Sequence, residues 1–279
     1  MRIALTGAGG FTGRYLAEAL RARGHQVAKI AADITNAQAL REELRDAAPD
    51  AAVHLAAIAF VNSDDFEGFY QVNQVGTFNL LAALADLAPG AAVLLASSAQ
   101  VYGPQASGLL DESAPLNPAN HYGLSKAAME LGARFWEDKL RILVVRPFNY
   151  TGIGQEPRYL IPKIVDHFRR RAPSIELGNI DVKRDFGDVR SVVDAYCGLL
   201  EVDAKPALFN VSTQALHSVR EIVAIAGNLT GHRIEVSINP AFVRADDVPV
   251  LGGDNSRLRA ALPLWRAYPI EETLRWMLG

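Results

Sequence analysis

An α/β fold is predicted for this chain: a doubly wound parallel sheet with a smaller C-terminal lobe interleaved behind it. Three observations predict it. Compact apolar runs alternate with amphipathic stretches through the first half, and a glycine-rich turn joins the first run to the first amphipathic stretch. From about residue 149 the alternation loosens into segments richer in Pro, Gly and Arg. Strand–helix alternation implies parallel strands covered by helices on both faces. Right-handed crossovers then bring ligands to the carboxyl ends of the strands.

Taken in order, residues 2–6 read as the first strand and 11–23 as the first helix. The pattern repeats with strand 26–30 and helix 36–47, strand 52–55 and a long helix over 66–87, strand 92–97 and helix 120–139, then strand 141–146. Beyond residue 149, helices are expected at 161–171, 189–200, 219–229 and 270–278, with 209–211 returning as a further strand. Residues 1–148, with returning segments near 182–215, therefore form the first domain, and 149–279 form most of the second lobe. No internal repeat or low-complexity tract interrupts the chain.

The 279 residues suffice for one large core or two joined lobes. With 28 basic and 31 acidic residues, the net charge of −3 gives no reason to expect nucleic acid or an anionic membrane as partner. The first strand runs straight into the glycine turn, leaving no room for a signal-peptide apolar region, and no apolar run approaches the ~20 residues of a membrane helix. A cytoplasmic location is the expectation. Cys197, the single cysteine, excludes an internal disulfide and reads as a buried, inert thiol. The six histidines show no H-x-x-x-H or H-x-H spacing, so no metal is expected. His121 reads as a surface or loop residue, Arg169-Arg170-Arg171 as a solvated helix end, and Trp265 and Trp276 as packing for the terminal helix.

Gly7-Ala8-Gly9-Gly10-Phe11-Thr12-Gly13 gives a G-x-x-G-x-x-G turn in the register Gly7, Gly10, Gly13. Glycines allow a tight turn and close approach of a pyrophosphate, and the following helix amino terminus supplies amides and partial positive charge. Its place between a strand and a helix favours dinucleotide binding over a plain turn. The second strand ends Lys29-Ile30-Ala31-Ala32-Asp33, followed by Ile34. Asp33 is placed to face the adenosine ribose or the adenine amine, while Lys29 could attract a 2′-phosphate. NADP(H) is favoured over NAD(H), with both admissible.

Tyr122 and Lys126 stand four residues apart in His121-Tyr122-Gly123-Leu124-Ser125-Lys126, on one helix face. An ammonium beside a phenol is expected to draw its pKa down from about 10 toward neutrality, fitting it to exchange a proton with a sugar hydroxyl or carbonyl. Tyr-x-x-x-Lys also occurs on ordinary solvated helices. The glycine turn and the Ser97-Ser98 strand end give it weight, and together they read as a redox enzyme.

These residues resemble the extended short-chain dehydrogenase/reductase family acting on nucleotide sugars, across essentially the whole chain. The resemblance rests on Thr6–Gly13, Val53-His54-Leu55-Ala56-Ala57, Val72-Asn73-Gln74-Val75-Gly76-Thr77, Ser97-Ser98-Ala99-Gln100-Val101-Tyr102-Gly103 and Tyr122–Lys126. In the carboxyl half it rests on Arg146–Gln155, Lys183–Val189, and Arg244–Pro249 with Gly252–Leu258. The closest type is the GDP-4-keto-6-deoxy-mannose reductases.

The resemblance implies a Rossmann-type sheet, with Gly7, Gly10, Phe11, Thr12, Gly13, Asp33, Ile34, Leu55, Ala56, Ala57, Tyr122 and Lys126 against the cofactor. Ser98, Tyr122 and Lys126 are the implied catalytic set. Ser98, Gln100, Asn149, Arg184 and Arg244 are implied on the sugar nucleotide, the arginines because a guanidinium can bond two phosphate oxygens. Related dehydratases commonly carry glutamate at position 100 as the base for removing water. Gln100 cannot cycle protons, which favours simple hydride transfer. The implied activity is reduction of the C4 carbonyl of a GDP-linked 4-keto-6-deoxyhexose, toward a GDP-rhamnose or GDP-talose type of product. A 4-epimerase is the alternative; a 4,6-dehydratase or a non-catalytic cofactor-binding regulatory subunit comes third. A homodimer through the 66–87 and 120–139 helices is also implied.

Overall fold

The computed structural model describes residues 1–59, 65–104, 107–203, 208–243 and 248–279. Strand and helix alternate through the first half. β1 (Arg2–Thr6), α1 (Phe11–Ala22), β2 (Gln26–Ile30), α2 (Ala37–Ala47) and β3 (Ala51–His54) follow one another. After them come α3 (Phe66–Tyr70), a π-helical turn (Gln71–Gly76), α4 (Thr77–Leu87) and β4 (Ala92–Ala96). Next are a 3₁₀ turn (Ala99–Val101), β5 (Gly108–Leu110), α5 (His121–Ala133) and β6 (Arg141–Pro147). The second half contributes β7 (Asn149–Thr151), α6 (Leu160–Arg169), β8 (Ser174–Leu177), β9 (Lys183–Asp188), α7 (Val189–Glu201) and β10 (Leu208–Val211). It closes with β11 (Leu216–Ser218), α8 (Val219–Thr230), β12 (Glu235–Ile238), β13 (Val250–Gly253), α9 (Ser256–Ala261) and α10 (Ile270–Leu278).

Six parallel strands form the main sheet in the order β10-β6-β4-β3-β1-β2, the doubly wound arrangement expected. One face is buried by α1 and α7 through Leu16, Leu20, Val192, Tyr196 and Leu199, the other by α2, α4 and α5 through Leu40, Leu44, Leu80, Leu84 and Met129. Chain order reverses at β1, which has β2 on one side and β3 on the other. A crevice therefore opens at the carboxyl ends of β1 and β3. The second half adds a five-stranded sheet (β11-β9-β13-β5 with β7 on β9), the β8–β12 pair, and a core of α6, α8 and α10 around Phe168, Ile222 and Leu274. Among the described residues no helix is long and apolar enough to cross a membrane.

Two long helices expected from the sequence are interrupted. The 66–87 stretch changes at residue 71 into a π turn before resuming as α4, because Asn73 is drawn inward as a polar anchor. The 120–139 stretch keeps α-geometry only to Ala133 and ends in a 3₁₀ turn at Arg134–Trp136. Trp265 docks on α7, its indole N–H donating to the Ser191 carbonyl at 2.9 Å. Trp276, on α10, lies over the Arg190 guanidinium at 4.0 Å. Cys197 is fully buried in α7, and burial pushes its thiol up to about 12, which leaves it unreactive.

Candidate active site

The glycine turn lies directly on the chain leaving β3. Gly7 has φ 70°, and a Cβ there would sit 2.7 Å from the Leu55 carbonyl carbon and the Ala56 nitrogen. A Cβ on Gly13 would be driven into the Gly7 carbonyl oxygen, so α1 can start this close to β1 only without side chains. Gly10 caps α1 with no side-chain bond, and no acidic residue occupies the first helical turn, so its amide dipoles face outward unopposed. A crevice of about 480 Å³ follows, lined by Gly7, Gly9, Asp33, Ile34, Ala56 and Val72 among others. Asp33 is exposed at its rim; its carboxylate accepts the Thr35 amide and hydroxyl at 2.9 and 2.8 Å, which holds it below the usual carboxylate range. Phe11 and Thr12 start α1, but their side chains turn to Tyr150: the Phe11 and Tyr150 rings stack at 6.2 Å, and the Thr12 and Tyr150 hydroxyls bond at 2.8 Å.

Beneath the crevice runs a directional chain of hydrogen bonds. The Ala56 amide donates to Thr6 Oγ1, which meets His54 Nδ1 at 2.7 Å, and His54 Nε2 meets Thr77 Oγ1 at 2.9 Å. Because Thr77 donates its own proton to the Asn73 carbonyl, it accepts from His54, so the proton of the imidazole is on Nε2. Burial, with Lys126 nearby, pushes His54 down to about 3 and keeps it neutral. Asn73 holds Ile58 by both its amide and its carbonyl and donates to Ser125 Oγ at 3.0 Å, tying the β3 end to α5.

The 3₁₀ turn after β4 and the first two turns of α5 bring Ser98, Gln100, Tyr122 and Lys126 together. Asn120 caps α5 through the Gly123 amide, and a Cβ on Gly123 would approach the Gln100 carbonyl to 2.6 Å. Tyr122 is 9% exposed and Lys126 is buried. Their electrostatics overturn the expected acidification. Burial pushes the Tyr122 phenol up to about 12; the Ser98 hydroxyl pulls the other way, and Tyr150 and Tyr159 add to the rise. Burial likewise pushes Lys126 down to about 8 against the pull of Glu130. Desolvation is the larger influence on both groups, and the Lys126 amine donates to the Ala96 carbonyl at 2.8 Å. At neutral pH the phenol is held in its protonated form.

Of the residues expected on the sugar nucleotide, Gln100 accepts from Asn120 at 3.3 Å, and Asn149 is exposed on β7 and donates to the Asp185 carbonyl at 3.2 Å. Arg184 lies on β9, half-buried, and donates to the Lys183 carbonyl at 2.8 Å. Arg244 lies outside the described residues.

Three groups near the site went unread in the sequence. Tyr150 and Tyr159 lie near enough to Tyr122 to raise its phenol, and adjacency to Asn149 was the available signal for the first. Asp185 is buried under Thr213 and Gln214, accepting both their amides and the Thr213 hydroxyl; burial still pushes it up to about 6. Glu130 on α5 and Arg146 on β6 form a buried ion pair, extended by Tyr102 and Asn210. Among the described residues no cluster of three His, Cys, Asp or Glu side chains is placed to hold a metal ion.

Residues 3–212 match the NAD dependent epimerase/dehydratase family. The chain belongs to that family. Its relatives include the GDP-6-deoxy-D-talose 4-dehydrogenase of Aggregatibacter actinomycetemcomitans, 37% identical over 92% of this chain and 90% of its own. The GDP-6-deoxy-D-mannose reductase of Pseudomonas aeruginosa is 31% identical over 100% and 96%. Among solved structures, a candidate epimerase from Burkholderia cenocepacia J2315 superimposes with a TM-score of 0.93 at 45% identity, covering 99% of this chain and 96% of that one. RMD from Pseudomonas aeruginosa, complexed with NADPH, gives 0.90 at 30% identity, covering 99% and 97%. This epimerase/dehydratase family member is an oxidoreductase of the extended short-chain dehydrogenase/reductase type. Its turn between β1 and α1, with glycine at three of its four positions and open at the helix amino terminus, fits a dinucleotide.

Proposed function

We propose that the enzyme reduces the C4 carbonyl of a GDP-linked 4-keto-6-deoxyhexose with NADPH, giving a GDP-rhamnose or GDP-talose type of product. The observation that carries this reading is a phenol held protonated beside Ser98, with the amide of Gln100, instead of an acid, on the neighbouring turn. The names of the talose dehydrogenase and mannose reductase relatives support the substrate class, and the NADPH complex of RMD supports the cofactor.

When bound, the nicotinamide supplies the hydride for the carbonyl carbon. Ser98 donates a hydrogen bond to the ketone oxygen, and Tyr122 gives that oxygen its proton as the C–H bond forms, leaving a secondary alcohol. Lys126 holds the nicotinamide ribose. Gly7, Gly10 and Gly13 cradle the pyrophosphate, with the backbone at Phe11 and Thr12; Leu55, Ala56 and Ala57 flank the cofactor, and Asp33 and Ile34 meet its adenosine end. Gln100 contacts the sugar; Asn149, Arg184 and Arg244 hold the nucleotide diphosphate. Residues 1–148 with 182–215 carry the cofactor and 149–279 most of the sugar nucleotide. The reading includes a cytoplasmic homodimer. Its support is the apolar strip of Leu124, Leu131 and Phe135 along α5 and its 3₁₀ extension, beside Phe66 and Val75, with Phe135 84% exposed.

A test follows NADPH oxidation by the purified protein with GDP-4-keto-6-deoxymannose and identifies the product sugar by NMR. One NADPH consumed per sugar reduced is the expected result. With a GDP-hexose bearing a C4 hydroxyl supplied in place of the ketosugar, interconversion of its C4 epimers with no net cofactor consumption would replace the reductase by the 4-epimerase, a reading kept in view by the Burkholderia structure.

A further inference from the structure

Tyr122, Lys126 and Glu130 follow one another at four-residue steps along α5, and all three are buried. Such steps keep side chains on one stripe of a helix. The Glu130 carboxylate accepts the Ser97 hydroxyl and is gripped by Arg146, Nε at 2.9 and 3.2 Å and Nη2 at 2.6 Å. Ser97 lies between Ala96, whose carbonyl receives the Lys126 amine at 2.8 Å, and Ser98. One carboxylate thus joins the catalytic helix to the ends of β4 and β6.

We propose that Glu130 is a positioning residue for the reaction: through Ser97 and Arg146 it fixes the strand end that receives the Lys126 amine, and its carboxylate is the counter-charge that keeps this amine an ammonium. The proposal rests on the reading above in assigning Lys126 to the reaction.

The charged and titratable groups around Lys126, among the described residues, are few. His54 comes from β3, Tyr122 and Glu130 from the same helix, and Arg146 from β6 on the far side of Glu130; Tyr102, next to the 3₁₀ turn, lies over the Arg146 guanidinium. Glu112 is also buried beyond Arg146, but its carboxylate is held by Arg257 and the Asn210 amide. His54 and Tyr122 are neutral at working pH, so Glu130 is the anion on the lysine's own helix stripe. A buried ion pair is weak evidence for stability, since desolvation consumes most of the Coulombic gain. Its value here is the field it sets beside a lysine that burial would otherwise discharge.

The experiment titrates the Lys126 amine by nitrogen-15 NMR in the full-length protein, with the resonance assigned from Lys126→Met. Glu130→Gln keeps the shape of the side chain and removes its charge. The expected result is a midpoint lower by about one pH unit, with the alkaline limb of kcat/KM for ketosugar reduction moving alongside it. An unmoved midpoint in folded Glu130→Gln protein overturns the proposal. A midpoint that moves while the kinetic limb stays leaves the counter-charge standing and removes Lys126 from the reaction, so the two readings fail separately. Ser97→Ala tests the positioning half without altering any charge and serves if Glu130→Gln does not fold. Its kcat is expected to fall about tenfold, the worth of one hydrogen bond to a charged group, with the Lys126 midpoint unmoved; undiminished kcat overturns the placement.

Discussion

Removing the Tyr122 hydroxyl while keeping its ring separates proton donation from every other role of the residue. The ring packs against Phe69 at 6.1 Å between centroids and is 9% exposed, so Tyr122→Phe leaves the packing in place and deletes one polar contact near Ser98. The stability cost is that of one hydrogen bond, about 1 kcal/mol. The catalytic cost is much larger. A positioned general acid contributes roughly 10²–10⁴ in rate, or about 3–5 kcal/mol of barrier at 1.36 kcal/mol per decade. The assay is single-turnover NADPH oxidation at saturating ketosugar, with the NADPH dissociation constant measured separately by fluorescence. Turnover is expected to fall by at least two decades with NADPH affinity unchanged. Because the phenol sits at about 12, the wild-type rate should not lose its acid anywhere below pH 10. A limb near pH 8 then belongs to Lys126. Turnover of Tyr122→Phe within a few-fold of wild type refutes the assignment of the proton donor.

Gly13→Ala drives a methyl group into the Gly7 carbonyl and should weaken NADPH binding at least tenfold while far-ultraviolet circular dichroism stays native; unchanged affinity would mean that the turn does not cradle the pyrophosphate. Asp185 titrates near 6 when folded against 3.8 unfolded, so the native state holds its proton more tightly. Its contribution to stability declines as pH rises from 3.8 to 6 and is level beyond, a change of about 3 kcal/mol for about two units. Urea melts of Asp185→Asn across that window should show a flatter pH dependence than wild type. Leu131→Glu with Phe135→Glu places two charges on the exposed strip of α5 and should halve the mass seen by light scattering without unfolding the chain; an unaltered mass would put any dimer contact elsewhere.

Much of the first lobe was legible because a parallel sheet buried on both faces leaves apolar strands at regular intervals, and Arg2–Thr6 and Gln26–Ile30 fall where the pattern puts them. The second lobe was harder. Lys183–Asp188 carries four charges in six residues yet forms a central strand, since its partners β11, β13 and β7 supply a context no local pattern holds. The π turn was hidden for a similar reason: what bends the helix is Asn73 reaching Ile58 and Ser125, tertiary contacts spanning 15 and 52 residues. Motif spacing placed Tyr122 and Lys126 on one stripe, but the sign of the phenol's shift depends on how deeply both groups are buried, which spacing does not encode. The Glu130–Arg146 pair crosses from helix to strand and left no periodic trace.

The opening of α1 is also riveted to the start of the second lobe. Thr12 and Phe11 hold Tyr150, the Tyr15 hydroxyl donates to the Ile153 carbonyl at 2.8 Å, and the Arg14 guanidinium reaches the Gly154 carbonyl at 3.2 Å. Four fasteners within five consecutive residues of one helix make a seam that cannot gape like a hinged jaw. Any breathing that admits a bulky sugar ester must start at the opposite rim, and a shift of this helix on engaging the dinucleotide is felt at once by the strand beside Asn149.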